Sequence, residues 1–139
     1  MPLTIETNEE VMFFDTDCGG VVHNIAYLRW IETARTKLAA KLGLALREMS
    51  ETGLFPVVLR TEIDYKRSAK LGDNVTIHGR VESIERARFW CAFTIQRLPD
   101  PSVLISCRQS LALVQMPASR PVRLPANWAT NYPDLVSKK

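Results

Sequence analysis

Apolar residues recur along this chain in two rhythms. From Ala26 to Leu44, Tyr27, Leu28, Ile31, Ala34, Leu38 and Leu42 return at spacings of three and four, with Arg29, Glu32, Lys37 and Lys41 between them. That spacing predicts a long amphipathic helix with one face committed to a core. Asn24 stands before it as a favoured N-cap, and Gly43 falls where the pattern fades. The following LALREMSETG adds a short helical turn. Elsewhere the rhythm has a period of two. One strand-like run, around Ile5 to Phe14, precedes the helix. After it, Val57, Leu59, Thr61, Ile63 and Tyr65 alternate with Val58, Arg60, Glu62, Asp64 and Lys66, and Gly72-Asp73-Asn74 marks a turn. Val75–Ile84, Phe89–Leu98 and Val103–Gln115 read as three further strands. The links between them, ERAR and PDPS, are short.

Consecutive strands with tight links imply antiparallel pairing. The order strand, long helix, four strands leaves one apolar sheet face for one helix to cover. The expected architecture is therefore α+β: an antiparallel five-stranded sheet wrapped around one long central helix. Its two edge strands invite pairing with a second copy, which would continue the sheet across two subunits. Beyond Met116, PASRPVRLPANW is broken by prolines. The chain reads as one domain, residues 1–139, with its core at about 5–116 and a proline-rich surface segment at 117–139.

Composition adds limits more than content. The 139 residues are 46% hydrophobic and 24% charged, with a formal charge of +3. That is ordinary globular composition, and the charge is too small to argue for nucleic acid. Three cysteines without a C-x-x-C pair argue against a disulfide framework or a thiolate zinc site and suit a reducing cytoplasm. With only His23 and His78, no histidine-rich metal site is expected. The N-terminus has no signal-peptide pattern, and no apolar run is long enough to span a bilayer.

The candidate chemistry lies in FDTDCGGVVH, residues 14–23, between the first strand and the helix. Two glycines permit a tight path and close approach by a ligand. Helix-start amides lack intrahelical partners and carry partial positive charge, so they can hold a carbonyl oxygen on which negative charge develops. A carboxylate a few residues earlier can attack that carbonyl or activate a water. Asp17, Cys18 and His23 are the three reactive side chains. Asp17 also reads as a simple turn cap, and Cys18 as a small apolar filler.

FFDTDCGGVVHNIAYLRWIETARTKL resembles the signature of the 4-hydroxybenzoyl-CoA thioesterase family, whose members have the hotdog fold. The pattern is D-x-D, two residues, G-[VI]-V, then a Tyr, an aromatic, a Glu and an Arg at helical spacing. FPVVLRTEIDYKRSAKLGD resembles the family's second block, ending in Gly-Asp, so the likeness runs from about residue 5 to about 116. The bacterial acyl-CoA thioesterases, including those encoded alongside the Tol–Pal envelope system, form the nearest branch.

The resemblance implies an acyl-CoA thioesterase with no metal and no cofactor, coenzyme A being part of the substrate. It makes Asp17 the nucleophile or general base, with amides near His23 and Asn24 polarising the thioester carbonyl. Gly20, Val21 and Val22 would shape the substrate-facing backbone, and Tyr27 and Trp30 line either an acyl pocket or the core. Asp15 would brace the loop. Glu32 and Arg35 would form an ion pair near a dimer interface. Envelope-associated members often carry Tyr-His where this chain has His23-Asn24, so a catalytic histidine does not transfer cleanly; Ser68 replaces a frequent proline. Arg60, Lys66, Arg67, Lys70, Arg86 and Arg88 offer charge for coenzyme A phosphates, with Arg60, Arg86 and Arg88 selected and the Arg-Ala-Arg at 86–88 preferred. A homodimer or homotetramer in the cytoplasm is expected. The alternatives are a non-hydrolytic acyl-thioester binding module, an acyl carrier protein as donor, and a hydroxybenzoyl or dihydroxynaphthoyl thioester as substrate. Enoyl-thioester hydration has little support from two histidines.

Overall fold

A computed structural model describes residues 3–137. Strand β1 (Thr4–Glu10) leads through a 3-10 turn (Phe13–Asp15) and a loop into helix α1 (Asn24–Ala40). Short helix α2 (Leu46–Thr52) follows, then β2 (Leu54–Tyr65), β3 (Asn74–Ile84), β4 (Arg88–Leu98) and β5 (Val103–Gln115). The chain closes with β6 (Arg120–Val122), helix α3 (Ala126–Asn131) and a last 3-10 turn. The sheet is antiparallel in the order β1-β3-β4-β5-β2, with β6 on β5.

The two rhythms explain the core. Helix α1 buries Ala26, Tyr27, Trp30, Ile31, Ala34 and Leu38 against the inner face of the sheet. Alternate residues of β3 and β4 meet it, among them Val75, Ile77, Phe93 and Ile95. The sheet curls closely enough at Gly79 that a Cβ there would lie 2.9 Å from the Phe93 ring.

Several expectations change. The helix begins at Asn24 and ends at Ala40, and its N-cap is His23, not Asn24. The first strand stops at Glu10 because the chain turns into the 3-10 segment. Among the described residues there are six strands, not five: the chain reverses after Met116, and Leu113, Val114 and Gln115 pair with Val122, Pro121 and Arg120. Pro121 is tolerated because β6 is a short edge strand. Nor is the tail simply a surface segment. Leu124 and Trp128 are buried, the Trp128 indole donates to the Leu42 carbonyl at 3.1 Å, and its ring meets Phe89 edge-on at 5.2 Å. The tail thus covers the end of the core beyond the C-terminus of α1.

Both sheet edges are unpaired among the described residues, and they differ in character. β1 carries Glu6, Glu9 and Glu10, charges that discourage edge pairing. β2 instead exposes Val57, Val58, Leu59 (58%) and Tyr65, with a register shift between Val58 and Arg60.

Candidate active site

Residues 15–22 form a braced loop. Asp15 is 3% exposed and accepts from the Met12 amide at 2.9 Å and from Arg29 Nη2 at 2.7 Å. Its carbonyl accepts from the His23 amide at 3.0 Å. The first aspartate therefore holds the loop to the helix. Asp17 is exposed, and its Oδ1 accepts from the Gly19 amide at 3.0 Å. The turn closes with Asp17 N–H to the Val21 carbonyl and Gly20 N–H to the Asp17 carbonyl, both 3.0 Å. Gly20 has φ of +71°, where a side chain would be strained. So Asp17 does cap a turn, but its other carboxylate oxygen makes no hydrogen bond among the described residues, and the exposed side chain stands on a tight, glycine-shaped support.

The segment after β2 supports the loop from below. Val22 N–H donates to the Ala69 carbonyl and Leu71 N–H to the Gly20 carbonyl, each at 3.0 Å, and Val21 bridges Lys70. Ala69 in turn donates its amide to the Tyr27 hydroxyl at 2.8 Å. Burial pushes the Tyr27 phenol up, with the Ala69 bond opposing, so the hydroxyl stays protonated while it accepts. Tyr27 is a strut under the loop, not an open pocket wall. Trp30 is fully buried and stacks edge-on with Tyr27 at 5.5 Å; its indole N–H has no acceptor among the described residues.

The helix start supplies the donors. His23 Nδ1 accepts from the Ala26 amide at 3.1 Å, which leaves Nε2 to donate to the Phe14 carbonyl at 3.3 Å. Both ring nitrogens and the His23 amide are thus occupied. The amides of Asn24 and Ile25 meet no acceptor among the described residues. They lie at the positive end of a 17-residue helix. An exposed carboxylate on the loop and two free amides at the helix it leads into are the two parts that acyl transfer needs: one attacks or activates, the other receives the oxyanion. The Ile25 amide escaped sequence reasoning, which could not tell that His23 had spent its own.

Around the loop, Met12, Phe13, Phe14 and Ile25 are exposed apolar side chains, and the Arg29 guanidinium sits 5.9 Å from the Phe14 ring. Cys18 is exposed and next to Asp17, with no base paired to it among the described residues. Arg35 bonds weakly to Glu32 at 3.4 Å and strongly to the buried Gln109 at 2.7 Å, a partner without a sequence signal. Burial lowers the Arg35 pKa. Gln109 passes the link to Thr61 of β2 at 3.2 Å.

The selected arginines do not join this site. Arg60 pairs with Glu62 at 3.3 Å and Arg88 with Glu85 at 2.8 Å, while Arg86 has no carboxylate partner among the described residues. Arg86 and Arg88 lie at the far end of β3 and β4 from Asp17. Among the described residues, no group of three His, Cys, Asp or Glu side chains could hold a metal ion, and no helix is long and apolar enough to cross a membrane.

A family model described as the Thioesterase-like superfamily matches residues 11–133. The acyl-CoA thioesterase YbgC of Haemophilus influenzae is 29% identical over 116 residues, covering 83% of this chain and 84% of that protein. The 1,4-dihydroxy-2-naphthoyl-CoA hydrolase of Thermosynechococcus vestitus is 27% identical over 133 residues, covering 93% and 90%. The crystal structure of the DHNA-CoA thioesterase from Staphylococcus aureus superposes with a TM-score of 0.83 at 24% identity, over 94% of this chain and 89% of that one, a likeness of fold.

Proposed function

The chain belongs to the Thioesterase-like superfamily, and we propose that it is an acyl-CoA thioesterase that releases free acid and coenzyme A. One observation carries the chemistry: the exposed carboxylate of Asp17, with one oxygen unbonded among the described residues, stands on the loop that leads into the unpaired amides of Asn24 and Ile25. Asp17 attacks the thioester carbon, or removes a proton from a water that does. The carbonyl oxygen gathers charge and is held by the two amides. The tetrahedral intermediate then collapses, breaking the carbon–sulfur bond and expelling the coenzyme A thiolate. In the nucleophilic course a water subsequently cleaves the acyl–Asp17 anhydride. Gly20, Val21 and Val22 shape the substrate-facing turn, and His23 acts through the cap it makes, not through its ring chemistry.

The enzyme works as a homodimer joined at β2. The exposed apolar residues of that edge and the solvent-facing position of Asp17 support this, since a partner would close the site against water. Two such dimers make the tetramer. The setting is the cytoplasm, consistent with free Cys18, Cys91 and Cys107. One relative is named for acyl-CoA and another for 1,4-dihydroxy-2-naphthoyl-CoA, and the acyl group of this chain's substrate is drawn from that range.

Thiol release from a panel of acyl-CoA and acyl carrier protein thioesters tests the reading. Turnover abolished by Asp17→Asn supports it, whereas tight binding without release would make the protein a binding module.

A further inference from the structure

Helix α1 packs against β1 and β3, so the inner face of the outermost strand, β2, has no helix directly over it. Tyr65 and Thr61 are exposed there, and Ile63 is half-buried. These three stand at a period of two on the face that meets Tyr27 and the buried Gln109. Opposite them, Leu28 and Arg35 lie seven residues apart on one face of α1. The two elements border a bay that begins at Tyr27, in the first turn of the helix, and is apolar over Leu28, Ile63 and Tyr65.

The far end of the bay is polar, and each hydrogen bond in it has a fixed direction. A guanidinium cannot accept, so the Gln109 atom that Arg35 bonds at 2.7 Å is the carbonyl Oε1. The amide NH2 of Gln109 therefore faces β2, where it donates to Thr61 Oγ1 at 3.2 Å. Gln109 is 4% exposed, and turning its amide over would set NH2 against the Arg35 donors. Thr61 Oγ1 is thereby the acceptor, and its own proton is left to donate, with no acceptor among the described residues. Arg35 thus polarises a chain of three side chains that ends in an exposed donor. Arg35 stands ten residues beyond Ile25, about 15 Å along the helix, and helical side chains lean back toward the N-terminus. The Thr61 hydroxyl is then roughly 10 Å from the helix-start amides.

We infer that Thr61 is a specificity-determining residue, whose hydroxyl donates to an oxygen carried by the acyl group at the end remote from the thioester. Gln109 and Arg35 are its positioning residues. The preferred substrates are thioesters of oxygen-bearing acyl groups, because a plain hydrocarbon chain leaves the donor unpaired. The inference rests on the thioesterase reading above.

The test uses straight-chain acyl-CoAs of about six to ten carbons, a span that brackets the distance to Thr61. Each length is supplied plain, with a terminal hydroxyl and with a terminal methoxy group. At the best-fitting length the wild type should show kcat/KM about tenfold or more higher for both oxygenated forms than for the plain chain. Thr61→Val keeps the shape without the hydroxyl and should bring that ratio to about one. Gln109→Glu separates positioning from packing, since a carboxylate has no N–H to offer and takes the Thr61 proton itself. Thr61 Oγ1 can then only accept, so this variant should still favour the hydroxyl form and lose its preference for the methoxy form. A loosened core would not sort the two.

Equal kcat/KM for the three forms at every length would overturn the inference. So would a Thr61→Val loss shared by plain and oxygenated chains, which would place the hydroxyl's role in the fold or the subunit interface. A Gln109→Glu variant that treats the two oxygenated forms alike would overturn the positioning roles. Failure of the functional reading looks different: wild-type protein would then release no thiol from any thioester. Calorimetry with the same series decides the inference in that case. Tighter binding of the oxygenated forms, lost in Thr61→Val, upholds it, and equal or absent binding overturns it.

Discussion

Arg29 Nη2 lies 2.7 Å from Asp15 Oδ1, and this contact separates the two aspartates of the D-x-D pattern. Asp15 is spent on Arg29 and on the Met12 amide, while Asp17 two residues later faces out. Asp15→Ala strands the Met12 amide and frees the loop. The expected loss is about 1–3 kcal/mol in urea unfolding, toward the low end because Arg29 is half-exposed, with kcat falling as well.

Asp17→Asn keeps the turn, because the amide oxygen still accepts from Gly19. It should lower kcat by about two orders of magnitude or more with little change in melting temperature. Cys18→Ala should leave turnover largely intact. A dead Cys18 variant beside an active Asn variant would transfer the chemistry to the thiol.

Tyr27→Phe removes a single hydroxyl and leaves the Ala69 amide buried without an acceptor. Stability should drop by about 1–2 kcal/mol. Because Ala69 supports Val22, kcat should fall while KM moves little. Hydrogen exchange should speed up at Ala69 and Val22 before it does at β4, which distinguishes a positioning role from global loosening.

Trp128→Ala should cost about 3–5 kcal/mol in chemical unfolding, as a fully buried ring and its bond to Leu42 disappear together. A tail merely resting on the surface would give a near-zero loss.

Burial pushes the Cys91 thiol from 9.0 up to about 12 and the Cys107 thiol up to about 11, with Arg35 opposing in both. In the unfolded chain both deprotonate near the ordinary value, while the folded chain holds their protons longer. Their contribution is therefore complete below pH 9 and is lost as pH rises through 11 and 12, at up to about 1.4 kcal/mol per pH unit per thiol. Urea midpoints measured from pH 8 upward check the sign. An alkylating reagent at neutral pH should modify Cys18 first.

Most of the fold was legible because one helix and one sheet face each other, and both surfaces repeat with their own period. The helix of Tyr27, Ile31, Ala34 and Leu38 and the strands around Ile77, Phe93 and Leu111 follow directly from that. Trp128 and β6 were not legible, since an isolated aromatic among prolines has no period and three paired residues make no alternation. The candidate loop at residues 14–23 stood out through its motif, but the division of labour within it did not. His23 caps the helix in place of the better-favoured Asn24 because Phe14 holds the far side of its ring. Arg35 and Gln109 lie 74 positions apart in the sequence, and only the folding of α1 over the sheet makes them partners.

The Trp128 contact with Leu42 also imposes an order on biosynthesis. The ribosome completes α1 and all five long strands before it reaches residue 128, and at about 5–20 residues per second the far end of the core waits on the order of seconds for its cover. During that interval Phe89 and Leu42 are open to other nascent chains, so a Trp128 variant should depend more on chaperones in the cell than its loss of equilibrium stability alone would require.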